Sequence, residues 1–181
     1  MTERDQPWTL RIALSDVPDE GLHIAIEADS AVRTALARIA SLRDLPQLEA
    51  SFDLRHKGAG GLHVAGEVNA KIGQNCVVTL DPIEKNMSEA IDLVFFPEQA
   101  QTLGDGDGEA SFGMTDSEAP EPLAGGIVDL GAIATEYFLL GIDPYPRKDG
   151  AVFEAAPTMD PTADSPFAVL GALKKPPATG K

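Results

Sequence analysis

The feature that most constrains this chain is a pair of strict alternations facing each other across a glycine-rich reversal. Ala50, Phe52 and Leu54 alternate with Ser51, Asp53 and Arg55. After Gly58-Ala59-Gly60-Gly61 a longer run follows, with Leu62, Val64, Gly66, Val68, Ala70 and Ile72 on one phase. A period of two puts these apolar residues on one face of a sheet, and glycines supply the positive φ that a tight reversal requires. The spacing therefore predicts a long antiparallel hairpin with one buried face. The same glycines are a poor phosphate loop, because such a loop opens a helix and this one opens a strand.

Other segments extend the pattern. Trp8, Leu10, Ile12 and Leu14 alternate, as do Leu22, Ile24 and Ile26, with Pro18 and Gly21 between them, which predicts a second hairpin. Asp29 and Ser30 predict a cap for a helix over about 31–43, with Val32, Leu36 and Ile39 on one stripe and Pro46 as its stop. A strand is expected over about 87–96, carrying Ile91, Leu93 and Phe95 to Pro97. Asp129 is a good N-cap for a helix through Leu140, with Gly141 at its end; Leu130, Ile133, Tyr137, Leu140 and their neighbours bury most of its circumference, and Glu136 faces solvent at its edge. A short helix is expected from Ser165-Pro166, carrying Phe167 and Leu170. Strands in the first hundred residues and helices afterwards give an α+β fold, with a mainly antiparallel sheet that has room to curl toward a barrel, two to three helices and a flexible acidic loop. Residues 1–97 form the strand-rich part with one helix, 98–126 the loop, and 127–181 the helical part and C-terminal tail of the same single domain.

Charge narrows the function classes. The chain has 181 residues, 14 Lys and Arg against 29 Asp and Glu, and a formal net charge of −15. Twelve of the acids lie in residues 86–146, which contain no Lys or Arg. Broad RNA or DNA binding by phosphate neutralisation is disfavoured by this balance. Asp105, Asp107, Glu109, Glu118 and Glu121 make the loop a candidate docking surface for a basic partner. The basic residues after it, Arg147, Lys148, Lys174 and Lys175, with Phe167, are the alternative, a small patch for direct RNA contact; two to four phosphate contacts would give a salt slope of only about −2 to −4.

No catalytic constellation emerges. The spacing of Asp105, Asp107 and Glu109 resembles a calcium loop, but Ala110 stands where the sharp bend needs Gly, and Asp116 is short for the twelfth ligand. His23, His56, His63 and Cys76 lack the close pairing of a zinc site, and Cys76 reads as a small buried hydrophobe. With one cysteine, no intrachain disulfide forms, and a reducing cytoplasm is expected. The sequence shows no secretory leader and no apolar run long enough to span a membrane. These readings point to a binding protein, with no enzyme activity and no cofactor; a metal-dependent ribonuclease is the remaining alternative, without a recognisable ligand spacing.

Four segments in order carry a family resemblance: QNCVVTLDPI (74–83), EAIDLVFFPE (89–98), VDLGAIATEYFLLGIDPYP (128–146) and SPFAVLGALKK (165–175). Over residues 47 to 175 the chain resembles the YceD family, the large ribosomal RNA subunit accumulation proteins. Many members carry two cysteines separated by two residues in the first of these segments; here Cys76 matches the first and Thr79 stands at the second, which removes a zinc or redox role for the pair. The resemblance implies a part in bacterial ribosome biogenesis, in accumulation or processing of large-subunit rRNA, with no established enzymatic activity. Members often lie beside the gene for a small basic ribosomal protein, so a ribosomal protein or assembly factor is the implied partner, and rRNA contact is direct or indirect.

Overall fold

The computed structural model describes residues 6–58, 60–97 and 121–153. The chain divides into two units, residues 1–148 and 149–181. Of the second, only 149–153 are described: a turn at Asp149-Gly150 followed by exposed Val152 and Phe153.

The predicted long hairpin forms and dominates the first unit. Strand β3 (Asp44–Lys57) runs antiparallel to β4 (Gly61–Asn75), and β4 runs antiparallel to β5 (Pro82–Phe96). Gly60 takes a φ of +75° in the reversal, whereas Gly58 and Gly61 stay outside the left-handed region. Strand β2 (Leu22–Glu27) pairs with β3, and β6 (Glu121–Pro122) adds a parallel pair to the end of β5, giving the order β2-β3-β4-β5-β6. This sheet is open and not a barrel: its outer strands are short, and β2 and β6 each pair with a single neighbour. Residues 121–126, placed by the sequence in the acidic loop, thus contribute a strand and a turn.

The expected hairpin of residues 8–14 with 22–26 does not form. Strand β1 (Arg11–Ala13) pairs instead with β7 (Ile127–Asp129) in a separate two-stranded sheet, with Ile12 opposite Val128. Period-two patterning identifies a strand but not its partner, and residues 14–20 intervene as a 3-10 turn and bend.

Helix α1 (Ser30–Ile39) starts as predicted, with the Asp29 carboxylate accepting from the Val32 N–H at 2.8 Å. It ends earlier than expected. Ser41 adopts a φ of +54°, the chain reverses there, and Pro46 lies inside β3. A bulge between Asp44 and Gln47 accommodates that proline, which has no N–H for the ladder, and shifts the pleat so that Leu45 and Leu48 are both buried. Helix α2 (Leu130–Leu140) matches the sequence reading, with Leu130, Ile133, Ala134 and Phe138 buried and Glu136 exposed; Leu140, assigned to its buried stripe, is exposed because it sits at the helix end.

One face of the sheet carries Phe52, Leu54, Leu62, Val64 and Val68, all wholly buried, and packs with Leu36 of α1 and Phe138 of α2 in a single apolar cluster. Between β3 and β4, Gly66 permits an especially close approach: a Cβ there would collide with the Ser51 carbonyl oxygen and crowd the Phe52 backbone. The opposite face of β2–β5 is open, with His23, Glu27, Glu49, Asp53, Glu67 and Asp92 exposed.

Candidate interaction site

The turn from Cys76 to Asp81 joins β4 to β5 and holds the most perturbed titratable groups described. It closes through the Cys76 N–H to the Asp81 carbonyl at 2.8 Å and the Leu80 N–H to the Cys76 carbonyl at 2.9 Å. Inside it, Cys76 Sγ accepts from the N–H groups of Val78, Thr79 and Lys148, each at 3.4 Å. The Val77 N–H donates to the Pro146 carbonyl at 2.9 Å, so the segment after α2 is tied to the turn twice. Cys76 is buried, as expected, but it is more than a space-filling group. The Lys148 N–H foremost, then the Thr79 hydroxyl and the Thr79 and Val78 N–H groups, bring its thiol down to about 6 against the opposing effect of burial. These donors favour the thiolate over the thiol.

Around that anion lies an ion pair. Lys148 Nζ donates to Asp81 Oδ2 at 2.9 Å; this contact holds the Asp81 carboxyl below, and the Lys148 ammonium above, their ordinary ranges. Asp143, lowered by the Tyr145 N–H and then by Lys85, accepts from both and receives Gln74 Nε2 on its carbonyl at 2.9 Å. The arrangement is a brace. Among the described residues, no group of three or more His, Cys, Asp or Glu side chains is placed to hold a metal ion. The brace leaves Leu80, at a φ of +63°, and Tyr145 projecting into solvent.

The open sheet face is the second feature. Its register sets three rows across β2, β3, β4 and β5: Glu27, Glu49, Asn69 and Ser88; Ala25, Ser51, Glu67 and Ala90; His23, Asp53, Ala65 and Asp92. Five carboxylates stand on these rows with no Lys or Arg among them. His23 Nδ1 lies 3.0 Å from Asp53 Oδ1, while His63 Nε2, one row on, lies 2.7 Å from Asp92 Oδ1. Ala25, Ser51 and Asn69 floor a shallow depression of about 420 Å³ edged by Glu27, Glu49 and Glu67.

The candidate residues named from sequence do not gather at one place. Glu121 is exposed on β6 opposite Phe95, Arg147 is exposed, and Lys148 is engaged by its main chain with Cys76 and by its side chain with Asp81. Asp105, Asp107, Glu109, Glu118, Phe167, Lys174 and Lys175 lie outside the described residues. Sequence reasoning missed the sheet-face acids, because residues 1–85 carry 13 acids and 9 bases and look nearly balanced. The signal was present in their spacing: Glu27, Glu49, Asp53 and Glu67 all fall on the polar phase of their strands.

The family model of the large ribosomal RNA subunit accumulation protein YceD matches residues 64–174. That span contains most of β4, the Cys76 turn, β5, β6, β7 and α2, and takes in all but the final residue of the last segment on which the resemblance rests. No curated protein and no solved structure matches the chain. No helix among the described residues is long and apolar enough to cross a membrane. With more than half of its length matched, and with the matched segments forming one continuous β4–β5 hairpin braced by the chain that follows α2, this protein belongs to the YceD family of large ribosomal RNA subunit accumulation proteins.

Proposed function

We propose that the protein supports accumulation of large-subunit rRNA in the cytoplasm without enzymatic activity, by binding a basic ribosomal protein or assembly factor through its acidic surfaces. The observation that carries this reading is the open face of β2–β5, where five carboxylates fill three adjoining rows; Arg55 and Lys57 lie beyond one end of these rows, and Lys71, paired with Glu84, beyond the other. Such a face attracts cationic segments and repels phosphate. The cation-free stretch of residues 86–146 adds to the same sign of potential. Direct RNA contact through the basic patch is weakened by the engagement of Lys148 with Asp81.

The test is affinity capture of the full chain from growing cells, at low and high salt, with and without ribonuclease. A basic large-subunit protein retained after ribonuclease, released by salt and weakened in the Glu27→Gln, Glu49→Gln, Glu67→Gln triple variant supports the reading. Neutralising Asp105, Asp107, Glu109, Glu118 and Glu121 in a second variant measures the share of the loop. Capture that vanishes with ribonuclease and depends on Arg147, Lys148, Lys174 and Lys175 would replace protein binding by RNA binding.

A further inference from the structure

The outer edge of β5 is the longest unpaired strand edge among the described residues. On its inner side β5 pairs with β4 from Pro82 to Phe95. On its outer side β6 reaches only Phe95 and Phe96, leaving Pro82–Val94 without a strand partner among the described residues. Its main-chain N–H and C=O groups form a ready template for a further strand.

We propose that two copies of this chain pair their β5 edges antiparallel about a two-fold axis at Met87, joining their sheets into one. A two-fold axis perpendicular to the sheet requires each residue to oppose one on the same face, so the axis must pass through a residue and not between two. Centred on Met87, Lys85 opposes Glu89 of the second copy, and Ile83 opposes its Ile91, each contact made twice. On the open face Glu84 opposes Ala90, and Asn86 opposes Ser88. Neighbouring registers lack this complementarity. An axis at Ser88 sets Glu84 against Asp92, an axis at Glu89 sets that carboxylate against itself, and axes at Asn86 or Ala90 bring no opposite charges together. Like charges directly opposite each other disfavour a pairing, whereas opposite charges and apolar pairs favour it.

The size of the edge also fits a dimer. Pairing from Pro82 to Asp92 forms about ten main-chain hydrogen bonds, near the number a typical protein interface carries. Lys85 keeps Asp143 at 3.2 Å while lying at the same edge, so a carboxylate from the second copy meets an ammonium already fixed in place.

The test is sedimentation of the full chain over a range from micromolar to submillimolar, with two variants at Ala90. This side chain is exposed and lies opposite Glu67 of β4 in its own chain, so urea unfolding of each variant is measured beside sedimentation to separate an effect on the fold from one on the dimer. Ala90→Glu places carboxylate against Glu84 twice and is expected to weaken the dimer about threefold to tenfold; Ala90→Lys is expected to strengthen it by a similar factor. A chain that is monomeric at every concentration overturns the proposal, as does a dimer that both variants leave unchanged or shift in the same direction. Hydrogen exchange supplies a second readout: outer-edge amides of β5 protected only at concentrations where the dimer forms support the pairing. Protection in the monomer would mean that the chain covers its own edge, and would equally overturn it.

Discussion

Replacing Asp129 by alanine tests the link between the two-stranded sheet and α2. A single oxygen, Asp129 Oδ1, accepts from the N–H of Leu10 at 2.9 Å, of Gly131 at 3.1 Å and of Ala132 at 3.2 Å. The last two are an N-cap; the first ties the residue just before β1 to the same carboxylate. Loss of an N-cap costs about 0.5–2 kcal/mol, and leaving a partly buried N–H without a partner costs about 1–3 kcal/mol more. Asp129→Ala is therefore expected to destabilise the chain by roughly 2–4 kcal/mol, which lowers the melting temperature by about 5–15 °C in a protein of this size. Asp129→Asn separates the contributions. It retains an acceptor at Oδ1 and removes only the exposed ion pair of Oδ2 with Arg11 Nε at 3.5 Å, so it should cost less than about 1 kcal/mol. Urea unfolding of wild type and both variants, followed by circular dichroism, measures the difference. An alanine variant within about 1 kcal/mol of wild type, or an asparagine variant as damaged as the alanine one, refutes the assignment of the three hydrogen bonds to stability.

The Cys76 thiol predicts a pH dependence whose sign is fixed by the brace. Its folded value of about 6 lies below the unfolded 9.0, so the unfolded chain binds more protons between them; the stabilisation is full above pH 9, declines through this window and is lost as pH falls through 6. Cys76→Ala should flatten the rise in unfolding free energy from pH 6 to 9, and parallel profiles for the two proteins would count against a thiolate. Phe52→Ala, at a wholly buried position in β3, is expected to cost about 3–5 kcal/mol by chemical denaturation, while Glu136→Gln on the exposed side of α2 should stay within about 0.5 kcal/mol. Gly66→Ala drives a methyl group toward the Ser51 carbonyl and is expected to lose about 1–3 kcal/mol; a neutral result in thermal melts would show that β3 and β4 can separate without cost.

The elements legible in advance were those whose signals are local. Alternation across Ala50–Leu54 and Leu62–Ile72 is itself the pleat, and Asp29 and Asp129 are caps because a short carboxylate reaches the N–H two or three residues ahead. Where local signals compete, the sequence misleads. Pro46 reads as a helix stop, yet a bulge lets it sit in β3, and the reversal falls to Ser41, a residue with no glycine-like freedom. Cys76 reads as apolar because nothing in its neighbours along the chain announces Lys148, which arrives from 72 residues away.

The sequence by itself determined the hairpin, both helix starts, the family and the net charge of −15, since each depends on residue identity at short range. Only the tertiary structure decided that β1 joins β7, that the sheet stays open, and that Glu27, Glu49, Asp53, Glu67 and Asp92 share one face. Strand pairing sets which distant residues become neighbours, and electrostatic potential follows distance in space, not along the chain. The pleat puts Arg55, Lys57 and Lys71 on that face as well, and it is the register that leaves the three middle rows to the acids.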